Sequence, residues 1–246
     1  MITSKDNEKL KLVRKLGMKK HREKLGLFVT EGEDLARAGL AAGHEPRALL
    51  VHPECEIEGE MVEPDLLDGV SSLASGTKVI GIWPETWAEP DAVDGQTCLY
   101  LDGVSDPGNV GTIIRTADAL IGGVVVIGPG SADPFSAGAV RASMGSIFTQ
   151  TILRAGIEAT PAPRIATVPS GGETPGPIAG SATICLGSER EGLSAAVLKE
   201  CEARWTIPQR PGGAQSLNVA AAAAIACERV SSPPEEPATE SLDSGT

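Results

Sequence analysis

TCLYLDGVSDPGNVGTIIRTADALIGGVVVI, residues 97–127, passes from one apolar segment to another through a stretch of helical character. Thr97–Leu101 and Val124–Ile127 are short and apolar, and the second is wholly β-branched, the pattern of strands buried on both faces. Between them Asp106 precedes Pro107, an N-cap followed by proline at the first helical position. Asn109–Leu120 then reads as helix. Strand, helix and strand within about 30 residues make a βαβ unit, whose two strands run parallel.

The same alternation continues downstream. A helix is predicted at Ala137–Ser143, with strands at Phe148–Leu153, Ile165–Val168 and Thr183–Leu186. A helix over Leu193–Cys201, a strand at Trp205–Ile207 and an Ala-rich helix over Leu217–Val230 follow. Such a chain is α/β, with a parallel sheet covered by helices on both faces. Ligands of these sheets lie beyond the carboxyl ends of the strands. Upstream, Pro84–Gln96 is rich in Pro, Asp and Glu and reads as a linker. Before it lies a smaller α/β unit. Leu10, Val13 and Leu16 recur at helical spacing, Leu27–Thr30 is an apolar run, and Glu31–Ala42 is a helix stopped by Gly43. Ala48–Val51 and Lys78–Trp83 read as buried strands. The expected organisation is a domain over 1–88, a second over 97–230, and a disordered tail over 231–246, where apolar residues are almost absent.

Composition narrows the function. The chain has 246 residues and a net charge of −12, which alone disfavours a polyanion as partner. The distribution reverses that. Residues 1–24 hold nine basic and three acidic residues, so this arm carries +6 and the remainder −18. A basic arm on an acidic body is an electrostatic footprint for nucleic acid, and a solvated helix face is the plain alternative. No apolar run approaches the ~20 residues that span a bilayer, and the N-terminus has no signal-peptide core. The five cysteines are scattered without a C-x-x-C pair, so neither a disulfide framework nor a metal site is expected, and a reducing cytoplasm fits. The dinucleotide fingerprint G-x-G-x-x-G is absent.

Three polar segments fall where strands end. Asp106–Arg115 opens a helix, with Gly108 and Gly111 allowing close backbone approach and Arg115 able to pair with Asp118. Gly187–Ser194 follows a strand, with glycines for a tight turn and Glu189 either capping the next helix or binding substrate. Ile207–Asn218 is a Pro/Gly loop ending in Ser216 and Asn218 ahead of the Ala-rich helix. Each alone is an ordinary cap or turn. Their shared position at strand ends makes them candidates for one site.

At these residues the sequence resembles the SpoU (TrmH) class of RNA ribose 2′-O-methyltransferases within the SPOUT superfamily. D-P-x-N-x-G-x-x-x-R-T-A-D over Asp106–Asp118 resembles the first family motif. Gly187-Ser188-Glu189 with Gly192-Leu193-Ser194 resembles the second, and Ile207-Pro208 with Ser216-Leu217-Asn218-Val219 the third. Asp133-Pro134, Arg141–Gly145, Lys19–Arg22 and Phe28–Gly32 are similar to the family as well. The resemblance implies a C-terminal domain with a deep trefoil knot, a small N-terminal substrate-binding domain, S-adenosylmethionine as cofactor, RNA as substrate and a homodimer. It implies Arg115, Asn109, Glu189, Ser216 and Asn218 on the catalytic side, and Gly187, Ile207 and Leu217 against the cofactor. Lys19, Lys20, Arg22 and Arg141 are candidates for RNA contact, and no metal is implied. Ribosomal RNA is favoured over transfer RNA. Gln209 and Arg190 depart from the usual family residues, and the loop Gln209–Gln215 is slightly long.

A ribose hydroxyl is a poor nucleophile until its proton leaves. All three histidines lie before residue 53, so the second domain has no imidazole base. Arginine stays protonated at pKa values above about 12. Arg115 is therefore expected to hold a neighbouring RNA phosphate and lower the hydroxyl pKa, the proton going to that phosphate or to a transiently neutral Arg115. A non-catalytic RNA-binding protein on the same fold is the alternative.

Overall fold

The computed structural model describes residues 1–73, 76–213 and 216–231. Two sheets organise them. In the first, β1 (Leu27–Glu31), β2 (Ala48–Val51), β3 (Glu60–Met61) and β4 (Val79–Pro84) lie in the order β1-β4-β2-β3. Around them pack α1 (Glu8–Leu16), α2 (Lys19–Leu25), α3 (Glu33–Ala41) and α4 (Pro64–Asp68). The apolar stripe anticipated on α1 is buried at Leu10, Val13 and Leu16.

The second sheet has six strands, all parallel: β5 (Cys98–Asp102), β6 (Val124–Ile127), β7 (Thr151–Arg154), β8 (Arg164–Thr167), β9 (Thr183–Gly187) and β10 (Ala203–Trp205). Their order is β10-β8-β9-β5-β6-β7. The helices α5 (Pro107–Leu120), α6 (Ala137–Ser143), α7 (Ala195–Lys199) and α8 (Val219–Ser231) complete the unit. The chain first builds outward from β5 through β6 to β7, then crosses to fill the other side. The order therefore reverses between β5 and β9, where Asp102 is in register with Gly187. In open α/β sheets that switch point is where ligands bind.

Several expected boundaries move. The strand placed at Phe148–Leu153 is instead a 3-10 turn, Ser146–Phe148, followed by β7. Phe148 is taken out of the strand by its packing against Trp83, 4.8 Å between ring centroids. β10 ends at Trp205 rather than Ile207, because the next amide, Thr206, bonds to the Glu173 carbonyl at 2.7 Å. Ser231, assigned to the tail, closes α8 with its hydroxyl donating to the Cys227 carbonyl at 2.9 Å. The rest of that tail, 232–246, lies outside the described residues.

The Pro84–Gln96 segment is tied down rather than loose. Its Val93 is buried and the Ala88 amide bonds to the Ile152 carbonyl at 2.8 Å. The two units share one core: Phe28, Leu35 and Trp83 of the first belong to the same buried cluster as Val110, Phe135 and Phe148 of the second. Phe28 stacks on Phe135 and Phe148 at 5.0 and 5.8 Å, and Trp87 sits edge-on to Phe135 at 5.1 Å. No helix among the described residues is long and apolar enough to cross a membrane.

Candidate active site

Asp106 caps α5 by accepting the Asn109 amide at 2.9 Å, which places Asn109 on the first turn, facing the loops beyond β9 and α8's start. The Asn109 side chain then works in both directions. Its Nδ2 donates to Glu189 Oε1, and its Oδ1 accepts from Asn218 Nδ2 at 3.0 Å. Asn218 in turn caps α8, its Oδ1 accepting the Ala220 amide at 2.9 Å and the Ala221 amide at 3.3 Å. One chain of amides and a carboxylate thus joins the three polar segments. Glu189 does not cap α7; Ser194 does, accepting from the Val197 amide at 3.3 Å.

Beside this chain, at the carboxyl ends of β8 and β9, opens a recess of about 360 Å³. Gly187, Glu189, Ile207, Ser216 and Leu217 all line it, together with Val168 and Val219. Gly187 is required there by space. A Cβ on it would meet the Gly192 carbonyl carbon at 2.2 Å and the Leu193 nitrogen at 2.3 Å, so two backbone segments close against each other. The loop is held from below by Asp102, a buried carboxylate that accepts the Ser194 amide at 2.6 Å. Sequence reading passed over Asp102. Its signal was an acidic residue ending an otherwise apolar strand that is buried on both faces.

Successive strand residues face opposite sides of a sheet. Leu186 lines the recess, so its neighbour Cys185 points to the other face and meets Cys201 with 3.7 Å between sulfurs. That contact and burial push the Cys185 thiol up, so it stays protonated. These thiols lie outside the site.

The cationic candidates are dispersed. Arg115 lies exposed on α5, and among the described residues it has no side-chain partner. The expected pair with Asp118 is absent; Asp118 accepts from Thr149 Oγ1 at 2.9 Å. Arg115 follows Asn109 by six residues, or about 9 Å of helix at ~1.5 Å each, on a different face. It does not line the recess. Lys20 and Arg141 are exposed, and Lys19 is exposed with a 3.8 Å pair to Glu23. Arg22 corrects the expectation of RNA contact. It is 5% exposed, with Nη2 and Nε 2.6 and 3.0 Å from Asp133 Oδ2 and Nη1 donating to the Leu16 carbonyl. Burial consumes its donors between the two units. Among the described residues no group of three or more His, Cys, Asp and Glu side chains is placed to hold a metal.

The recess suits S-adenosylmethionine. Ligand sites of this kind are commonly about 300–1,000 Å³ and mainly apolar. Val168, Leu186, Ile207 and Leu217 offer apolar walls for an adenine ring, and Glu189 and Glu191 offer negative charge to a sulfonium cofactor. Gln209 and Arg190, the departures from the family pattern, line the same recess.

A model of the SpoU rRNA Methylase family matches residues 96–228, and one of the MRM3-like substrate binding domain matches residues 7–86. The 23S rRNA (guanosine(2553)-2′-O)-methyltransferase RlmP of Bacillus subtilis is 32% identical over 241 residues, covering 91% of this chain and 96% of that protein. The crystal structure of an rRNA methyltransferase from Sinorhizobium meliloti is similar at a TM-score of 0.80 and 31% identity, covering 92% of this chain and 95% of that one. Its AdoMet-bound form is similar at a TM-score of 0.76 and 30% identity, with the same coverage. The chain belongs to the SpoU rRNA methylase family.

Proposed function

We propose that the protein methylates a ribose 2′-hydroxyl of ribosomal RNA, with S-adenosylmethionine as methyl donor. The observation that carries this is the Asn218–Asn109–Glu189 chain at the rim of the 360 Å³ recess. When bound, S-adenosylmethionine supplies a methyl group made electrophilic by its sulfonium. Gly187, Ile207 and Leu217 hold the cofactor at the recess wall. Asn109 orients Glu189 and the loop that carries it, and Ser216 and Asn218 bound the substrate side.

Arg115 binds an RNA phosphate next to the target ribose and lowers the hydroxyl pKa, with the proton passing to that phosphate. A planar, bidentate fork suits this role. Since Arg115 does not reach the recess of its own protomer, a homodimer brings it to the recess of a second copy. Leu120 and Ile225, exposed at 41% and 36% on the mutually packed α5 and α8, support such a contact surface. The C-terminal segment leading into α8 is the part inferred to thread a trefoil knot. Lys19, Lys20 and Arg141 contribute RNA affinity, and the five free thiols suit a cytoplasmic setting.

The test is direct. The protein is incubated with labelled S-adenosylmethionine and unmodified ribosomal or transfer RNA, and the RNA is digested to nucleosides. Label in a 2′-O-methylnucleoside from ribosomal RNA is expected. Label confined to a base, or none with any RNA, refutes the assignment.

A further inference from the structure

A second recess, of about 320 Å³, opens where the two units meet. It lies on the same carboxyl edge of the six-stranded sheet as the first. Ile127 and Arg154, the last residues of β6 and β7, line it, with the loop Gly128–Ala132, and Lys19 and Glu23 come from α2. From β9 through β5 to β6 is two strand spacings, about 10 Å at ~4.8 Å each. The loops between are in near contact: a Cβ on Gly103 would lie 3.8 Å from Ser188 Cβ, and one on Gly130 would lie 3.4 Å from Gly103 Cα. The edge is therefore continuous from one recess to the other.

Arg154 is the residue that gives this recess its character. Its guanidinium lies 4.2 Å over the Trp87 ring, while the side chain remains 48% exposed. The platform beneath it is fixed. Trp87 Nε1 donates to Glu85 Oε2 at 3.0 Å, and its ring meets Phe135 edge-on. Glu23 holds Arg154 at 3.6 Å and Lys19 at 3.8 Å. Asp133, also in the lining, is neutralised by Arg22. Two cations against one unneutralised carboxylate leave a small positive balance. A bare anion would face Glu23 directly. A nucleotide meets the same groups better, because its base has a π-face and N–H donors as well as a phosphate. Arginine planes stack unpaired bases in RNA-binding proteins.

We propose that this recess takes an unpaired nucleotide of the RNA substrate, its base laid on the open face of Arg154 and its phosphate against Lys19. Glu23 accepts from the base edge. The two units do not move apart to admit it, since the Arg22–Asp133 pair and the shared aromatic core hold them together. The recess selects RNA in which an unstacked nucleotide lies close to the target ribose. This rests on the activity proposed above.

The test uses an unmodified 23S rRNA transcript, with the dissociation constant measured by filter binding and the KM values by methyl transfer. Arg154→Ala is expected to weaken binding about 5- to 150-fold, the range for loss of a base-stacking side chain. KM for RNA should rise in step, and KM for S-adenosylmethionine should stay unchanged. Arg154→Lys, which keeps the charge without the plane, should behave like Arg154→Ala. Lys19→Ala should reduce the slope of log Kd against log salt by about 0.7, the value for one phosphate of a single strand. Unchanged binding in Arg154→Ala overturns the recess, and full rescue by Arg154→Lys overturns base stacking. If the wild type binds the transcript but does not methylate it, the activity falls, while the contrast between wild type and Arg154→Ala still decides the recess. Absence of any wild-type binding overturns both.

Discussion

Asn109 uses its amide nitrogen on Glu189 and its amide oxygen on Asn218, so no other residue type of similar size satisfies both contacts. Asp lacks the donor and Leu lacks both groups. Asn109→Ala should therefore release Glu189 and Asn218 together. A misplacement of about 1 Å in a catalytic array can cost about 100-fold in rate, and a loss of 10- to 100-fold in kcat is expected here. The check is initial-rate methyl transfer at saturating RNA and cofactor, alongside an unaltered thermal melt. Arg115→Lys keeps the charge and removes the fork, so kcat should fall about tenfold or more. Near-full turnover in that variant would mean that a point charge suffices and that bidentate phosphate binding is the wrong role for Arg115.

At the scale of elements, the recess depends on how closely the turn after β9 closes on itself. Ser188 and Gly192 exchange backbone hydrogen bonds of 3.1 and 3.0 Å, and Gly187 lies against the returning strand of that turn. Gly187→Ala inserts a methyl group at 2.2 Å from the Gly192 carbonyl carbon, a separation that only backbone movement relieves. Overpacking of this kind costs about 1–3 kcal/mol. The displaced loop carries Glu189 and part of the recess wall. Isothermal titration with S-adenosylmethionine should show weaker binding by tenfold or so if the strain falls on the recess. An unchanged affinity would show that the turn is not part of the cofactor site.

Across the whole molecule, aromatic residues are scarce at 3%, yet all three phenylalanines and two of the three tryptophans meet between the two units. That leaves few rings for stacking on RNA and makes the substrate-binding unit a fixed platform. Arg22–Asp133 adds a buried pair to the same junction. Arg22→Met strands the Asp133 carboxylate, and removing one partner of a buried pair costs about 3–5 kcal/mol. Urea unfolding should register that loss, and Asp133→Asn added to Arg22→Met should recover part of it. Additivity of the two changes would disprove the coupling. Glu85 lies at this junction too, and burial raises its pKa above the usual 4.5. A carboxyl with a raised folded-state pKa contributes its stability at low pH and loses it as pH rises through that value. Glu85→Gln should therefore gain stability over the wild type above pH ~4.5 and show no such gain below it. Melting temperatures followed from pH 4 to pH 8 decide this; parallel curves would exclude Glu85 as the source.

Most strands and helices and the three polar segments were legible in the sequence because their signals are local, whereas the short α2, β3 and α4 were not read. Strand apolarity, the Asp106-Pro107 cap and the glycine turns each act within a few residues. The motifs that resemble the SpoU family were readable for the same reason, and they named Asn109, Glu189 and Asn218 without saying that all three join in one hydrogen-bonded chain. Only the tertiary structure decided that. Asn109 lies 80 residues from Glu189 and 109 from Asn218, and no local rule pairs residues at such separations. The same limit explains Arg22. In sequence it is one more cation in a basic arm. Its burial depends on Asp133, 111 residues away, and a side chain's charge says nothing of which carboxylate the fold will bring to it. What the sequence determined was the set of elements and the chemistry they carry; what the fold decided was which of those charges stay exposed and which hold the molecule together.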